Sequence, residues 1–189
     1  VGPNALHGTL EGVPTLVPGK HRNCYRLNGS NQVINLGSDL KLAPTAGITV
    51  ACWVKIEGAA ARQWQNPVSR FYYGWNAPVG ESGTCYSLQY DYSAKRWTWW
   101  CGNGTVSGGV DVVQNTDGVW AFFVGTWDGY LVRFFVNGVE VRYPGTLTGP
   151  LNQVAGLCTL IGSRMGDGNL PPQGRYDYMN GRVDEVYFW

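Results

Sequence analysis

Residues 120–140 read W-A-F-F-V-G-T-W-D-G-Y-L-V-R-F-F-V-N-G-V-E, and this stretch decides the fold. Two turn signals, Asp128-Gly129 and Asn137-Gly138, divide it into three apolar segments. Asp-Gly and Asn-Gly favour tight hairpins because both residue types tolerate the positive φ that the central turn positions need. The segments Trp120–Trp127, Tyr130–Val136 and Val139–Tyr143 are therefore predicted as consecutive antiparallel strands. In the first, Trp120, Phe122 and Val124 share one face, and Ala121, Phe123 and Trp127 the other. A strand apolar on both faces belongs in the middle of a sheet and is covered, at least partly, on both sides.

Working outward, Ile48–Ile56 is a clean strand, with Val50, Cys52, Val54 and Ile56 opposite Ala51, Trp53 and Lys55. Cys24–Leu27 and Gln32–Leu36 are short strands separated by Asn28-Gly29-Ser30. Tyr86–Tyr92 and Trp97–Cys101 read as a hairpin, and Val106–Val113 as an edge strand. A strand is expected near Val68–Tyr73, another at Leu157–Ile161, and a closing one at Arg182–Trp189. Val1–Lys20, Glu57–Thr84 and Ser163–Asn180 read as loops. No helical periodicity persists for three turns and no internal repeat is found. Many short strands with close turns predict an all-β sandwich or barrel.

The chain has 189 residues, enough for one all-β domain with a real core. Charged residues are only 14% and the net charge is +1, which argues against a nucleic-acid or anionic-membrane binder. No apolar run approaches a membrane span. The sequence starts at Val1 in a loop-like segment and stops at Trp189 within a predicted strand, so residues 1–189 are read as one domain of a longer chain or a processed product. With 5 cysteines, no CxxC and 2 histidines, a zinc site is not expected. Cys24, Cys52 and Cys158 read as buried small hydrophobes. Cys85 and Cys101 flank the predicted hairpin and either pair as a disulfide or stay as thiols.

Four segments together resemble the laminin G-like, concanavalin A-like jelly-roll superfamily. They are G-K-H-R-N-C-Y-R-L-N-G-S-N-Q-V-I-N-L (Gly19–Leu36), I-T-V-A-C-W-V-K (Ile48–Lys55), the central Trp120–Val141 stretch, and N-G-R-V-D-E-V-Y-F-W (Asn180–Trp189). The resemblance implies two curved antiparallel sheets face to face, one of them concave with long loops at its rim. It also implies a structural Ca2+ on the convex side. In similar folds an Asp of the C-terminal strand supplies side-chain oxygen, and Asp184 matches it; Asn28 or Gly29 would supply an early ligand. An Asp-Gly usually stands where this chain has Asn28-Gly29. The alternative for Asp184 is a solvated strand residue or a partner of Arg182 or Arg26.

The chemistry-bearing residues are mostly aromatic, with 9 Trp and 11 Tyr. Alternation puts Trp97, Trp99 and Cys101 in the core and Thr98 and Trp100 on the open face. On the preceding strand, Ser87, Gln89 and Asp91 alternate against Tyr86, Leu88 and Tyr90, and share the face of Trp100. A flat aromatic beside amide and carboxylate groups suits a sugar, whose C–H face stacks on indole and whose hydroxyls need directional partners. The loops add Trp64, Phe71, Tyr72, Tyr73, Trp75, Tyr176 and Tyr178. These either line the rim or fold over one another as a satellite core. Glycosidases of this fold need two carboxylates flanking the bond, at i, i+2 or i, i+4 of one strand, and no segment has that pattern. The expectation is a non-catalytic carbohydrate-binding module of a larger extracellular or surface-exposed protein, using Trp100, Gln89, Asp91, Ser87, Trp64, Tyr73, Trp75 and Tyr176. The alternative is a structural or adhesion domain that packs against a protein neighbour, as in a virion, tail fibre or cell-surface protein.

Overall fold

A computed structural model describes residues 7–72, 84–141, 143–166 and 174–189. In chain order the strands are β1 (Thr9–Glu11), β2 (Thr15–Pro18), β3 (Asn23–Asn28), β4 (Val33–Asn35), β5 (Ile48–Ile56), β6 (Trp64–Arg70), β7 (Tyr86–Asp91), β8 (Arg96–Gly102) and β9 (Ser107–Val113). They continue with β10 (Ala121–Trp127), β11 (Leu131–Val136), β12 (Val139–Glu140), β13 (Gly145–Thr146), β14 (Leu160–Ile161), β15 (Arg164–Met165), β16 (Arg175–Tyr176) and β17 (Asn180–Phe188). One antiparallel sheet runs β1-β4-β14-β6-β7-β8-β9, and the other β12-β11-β10-β5-β17-β3-β2, with β13 beside β11. The expected two-sheet sandwich is what forms.

The central stretch behaves as its pattern dictates. β10 lies between β11 and β5 and alternates buried with half-buried residues. Its inward set meets the first sheet, the Phe123 ring sitting 3.9 Å from Trp97 of β8, and packs beside Phe134 of the neighbouring β11 at 6.0 Å (centroids). Each such buried aromatic contributes about 1.5–3 kcal/mol of hydrophobic stabilisation. Gly125 occurs in mid-strand because Trp99 of the facing sheet takes its side-chain space: a β-carbon there would come 2.2 Å from Trp99 Cδ2.

The two turn signals resolve differently. Asn137 and Gly138 have φ of 52° and 82°, the double positive φ of a tight two-residue hairpin, and Val136 pairs with Val139. At Asp128-Gly129 only Gly129 has positive φ, and the ladder resumes at Trp127 opposite Val132. There the Asp128 carboxylate accepts N–H bonds from Tyr130 and Leu131, at 3.0 and 2.7 Å, and closes a wider loop.

Several boundaries depart from expectation. β1 and β2 form within the predicted N-terminal loop; both are short edge strands with mostly exposed side chains, so no alternation marks them. β6 starts at Trp64 and ends at Arg70, earlier than the Val68–Tyr73 expectation, and a register shift between Gln65 and Val68 breaks its period. β15 and β16 pair within the predicted loop 163–180. All five cysteines are free thiols, so Cys85 and Cys101 are not bridged. Cys24 and Cys52 are buried as expected, whereas Cys158 is half-exposed.

The main core lies between the sheets. A second cluster of Val33, Tyr72, Leu157, Leu160 and Met165 packs separately. Ile161 and Ile34 point into the main core, so their neighbours Leu160 and Val33 point to the outer face of the first sheet. The second cluster therefore covers that outer face at its β4–β14 end. Tyr72 and Tyr178 belong to this satellite core, which leaves the β7–β8–β9 half as the ground for a site.

Candidate functional site

Strand register sets the outer face of the first sheet in three rows. One row is Ser69, Ser87, Trp100 and Gly109; the next Gln89, Thr98 and Asp111; the third Trp64, Asp91, Arg96 and Val113. The expected sharing of a face by Ser87, Gln89, Asp91 and Trp100 follows directly from this pairing.

Trp100 is the more open of the two indoles in these rows, 36% exposed. Its indole lies toward β9 over Gly109, where a β-carbon would come 2.6 Å from Cε3. Gln89 is half-buried one row away, beside buried Thr98 and exposed Asp111. Four residues along β8, about 13 Å, Arg96 stands over the half-buried Trp64, 5.7 Å from its ring centroid. The face thus presents two aromatic surfaces with a polar row between them.

Ser87 and Asp91 share the face but are not open to a ligand. Ser87 is fully buried and donates to Asn66 Oδ1 at 2.9 Å. Asn66 in turn donates its backbone N–H to the Asp177 carbonyl at 3.2 Å. Asp91 is 3% exposed. Its Oδ1 accepts from the N–H groups of Ser93 and Ala94, both at 3.0 Å, and its Oδ2 from Gln63 Nε2 at 2.9 Å. This carboxylate closes the β7–β8 turn. Alternation shows which face a residue shares, but the partners that consume it come from loops.

Tyr176 stands at the other margin, half-buried between two guanidinium groups: Arg62 at 4.6 Å and Arg164 at 5.6 Å from its ring centroid. Arg164 also lies 5.5 Å from the Phe71 ring and pairs with Asp177 at 2.5 Å, both groups buried. None of Arg62, Arg96, Arg164 or Asp177 is expected at the site from the sequence. Arginine stacking on aromatics depends on loop positions that carry no period. The glycine pair 108–109 on the strand after Trp100 is the one local signal that could have pointed to the open indole. Tyr73 and Trp75 lie outside the described residues.

The three residues assigned to calcium do not converge. Asn28 pairs with Asn180 across β3 and β17, whereas Asp184 is four residues further along β17, about 13 Å away. Asp184 Oδ2 accepts from His21 N–H at 2.8 Å and Oδ1 from Glu185 N–H at 2.9 Å. Asn28 Oδ1 accepts from the N–H groups of Ser30 and Asn31, at 3.1 and 3.2 Å. The Gly29 carbonyl accepts from Ala61 N–H at 3.1 Å. Each oxygen is engaged with backbone at a separate place, so this set does not fit one ion. No cluster of three or more His, Cys, Asp or Glu suited to a metal occurs among the described residues. Nor does Asp184 pair with Arg26 or Arg182; both face Glu57 at 2.7 Å. Instead Asp184 pins the Gly19–His21 turn onto β17, beside a bulge where Glu185 has a φ of 51°.

The family model of the concanavalin A-like lectin/glucanases superfamily (Laminin_G_3) matches residues 28–189. The chain belongs to that superfamily. The similar solved structures are distant in sequence and share the fold. Domain 4 of AbnA, a GH43 extracellular arabinanase from Geobacillus stearothermophilus in complex with arabinotriose, is 18% identical with a TM-score of 0.60, covering 96% of this chain and 81% of that one. The enzymatically active domain of bacteriophage CBA120 tailspike protein 2 is 18% identical with a TM-score of 0.61. That match covers 100% of this chain but only 29% of the tailspike chain. The carbohydrate-binding module CBM66 from Bacillus subtilis is 10% identical with a TM-score of 0.51, covering 98% of this chain and 96% of the module. No curated protein matches the sequence.

Proposed function

We propose that this laminin G-like domain is a non-catalytic carbohydrate-binding module of an extracellular or surface-exposed protein. The observation that carries the reading is Trp100, 36% exposed over Gly109, with the Gln89 amide one row away. A sugar ring stacks its C–H face on the indole while Gln89 and Asp111 meet its hydroxyls. Trp64 and Tyr176 form the far margin, and Tyr73 and Trp75 belong to the same proposal. Two of the similar structures support it: an arabinanase domain solved with arabinotriose and a carbohydrate-binding module. The non-catalytic part is supported by Asp91, whose carboxylate is occupied by turn N–H groups and leaves Asp111 without a matched carboxylate among the described residues of its row. No described helix is long and apolar enough to cross a membrane.

The test is binding of the isolated domain to a glycan array, followed by calorimetry on the hits with wild type and Trp100→Ala. The expected result is binding that Trp100→Ala weakens by up to about tenfold while the far-ultraviolet dichroism stays native. Unchanged binding by the variant overturns the assignment of Trp100.

A structural or adhesion domain is the second reading, favoured by the outer face of the other sheet. There Trp53 and Phe122 rings lie 5.1 Å apart, and Tyr187 stacks on Trp189 at 5.4 Å with 46% and 68% exposure. A blank array from a folded, monodisperse domain would shift the weight to a protein partner on this face.

A further inference from the structure

The margin of the site carries more positive charge than its described carboxylates neutralise. Lys95 pairs with Asp117 at 2.5 Å, and Arg164 with Asp177 at 2.5 Å. Arg96 reaches Asp91 only at 3.8 Å, because that carboxylate is already committed to Ser93, Ala94 and Gln63. The Nε of Arg96 is buried without a hydrogen-bond partner among the described residues. Among the same residues Arg62 has no carboxylate partner; it is exposed, with its guanidinium held against Tyr176. Arg62 also lies two residues before Trp64, the aromatic over which Arg96 stands.

Stacking changes what Arg62 can do. A guanidinium lying on a phenol ring is held by cation–π attraction, while its N–H edges remain free. Those edges form a planar fork that matches an oxyanion in bidentate fashion. On Tyr176 the fork is oriented before any ligand arrives, so less side-chain entropy is lost on binding. A neutral sugar would use little of this. A sugar carrying an anionic substituent would satisfy it, with its ring near Trp64 and its charge against Arg62 and Arg96.

We propose that the glycan bound at this face is acidic, bearing a carboxylate or a sulfate that Arg62 engages next to Trp64. This rests on the carbohydrate-binding reading and names its ligand class. The net charge of the chain is only +1, so a preference for acidic glycans would arise locally, from this margin.

The experiment uses carboxylated and sulfated oligosaccharides, each paired with its carboxyl-reduced or desulfated form, titrated into the domain by calorimetry. The two kinds of acidic arm separate carboxylate from sulfate. The expected result is at least about tenfold tighter binding of one acidic member than of its neutral counterpart, a difference that shrinks at higher salt. Arg62→Gln removes that difference but leaves binding of the neutral form, and Arg62→Lys restores part of it. Arg133→Gln, on the opposite sheet where Arg133 pairs with Glu140 at 3.0 Å, changes nothing. Equal affinity for acidic and neutral forms, or an acid preference that survives Arg62→Gln, overturns the proposal and leaves the sugar-binding reading intact. No binding of any oligosaccharide by the folded domain overturns both.

Discussion

The indole of Trp100 lies over the backbone of Gly109, 2.6 Å from where a β-carbon of that residue would stand. A side chain at residue 109 cannot coexist with this ring position. Gly109→Val is therefore expected to turn the indole off β9 while β9, an edge strand, keeps its single ladder with β8. Sugar affinity should fall as far as in Trp100→Ala, by up to about tenfold, or ~1.4 kcal/mol. Calorimetry together with near-ultraviolet dichroism checks this; native affinity in Gly109→Val would show that the ring position is not what binding uses.

Inside the sandwich Gly125 faces Trp99 at still closer range: a β-carbon on residue 125 would stand 2.2 Å from Cδ2 of that indole. Trp99 also donates its Nε1–H to the Thr126 carbonyl at 3.3 Å, which ties the indole to that spot. Gly125→Ala should overpack the core and cost about 1–3 kcal/mol. Urea unfolding should show a lowered midpoint with an unchanged slope. A variant as stable as wild type would mean that the indole repacks freely.

Asp128 gives a pH dependence with a defined sign. The N–H groups of Leu131 and Tyr130 hold its carboxyl below the usual carboxylate range. A carboxyl depressed in the folded state stabilises fully above its ordinary value, near ~3.9, and that contribution is lost as pH falls through the depressed folded value. The melting-temperature advantage of wild type over Asp128→Asn should therefore shrink between about pH 5 and pH 2. An advantage that stays constant across this range would contradict the assignment.

The thiols differ in reach. Burial pushes Cys52 up to about 12, and Cys85 up to about 12 against the opposing pull of Arg70. Burial also raises Cys101, with Cys85 adding to it. Only the half-exposed Cys158 should react rapidly with an alkylating reagent near neutral pH, and all five after denaturation. Mass spectrometry of a timed reaction reads this directly. Rapid native labelling of Cys85 or Cys101 would contradict their burial.

The strands that can be read from the chain are those with one buried face. β5 is legible to the residue, because Val50, Cys52, Val54 and Ile56 are buried against half-buried Trp53 and Lys55. β1 and β2 are not, because edge strands with exposed side chains hold their place by backbone pairing, which leaves no trace in side-chain polarity. The sharing of a face by Trp100, Gln89, Ser87 and Asp91 is legible for the same reason as β5. Their availability is not, since Asn66 and the N–H groups of Ser93 and Ala94 take up Ser87 and Asp91.

By itself the sequence determined the sandwich, its central strands and the face on which Trp100 stands. The strands and the face follow from two-residue alternation and local turn chemistry, which act over a few neighbouring residues, and the choice of a sandwich over a barrel came with the family resemblance. Only the tertiary structure decided that Arg62 and Arg164 flank Tyr176, that Asp184 holds the Gly19–His21 turn rather than meeting Asn28, and that Trp100 rests on Gly109. Those pairings join separate segments of the chain through loops and sheet register. Which charge is neutralised and which is left for a ligand is fixed by that three-dimensional pairing, and no local pattern encodes it.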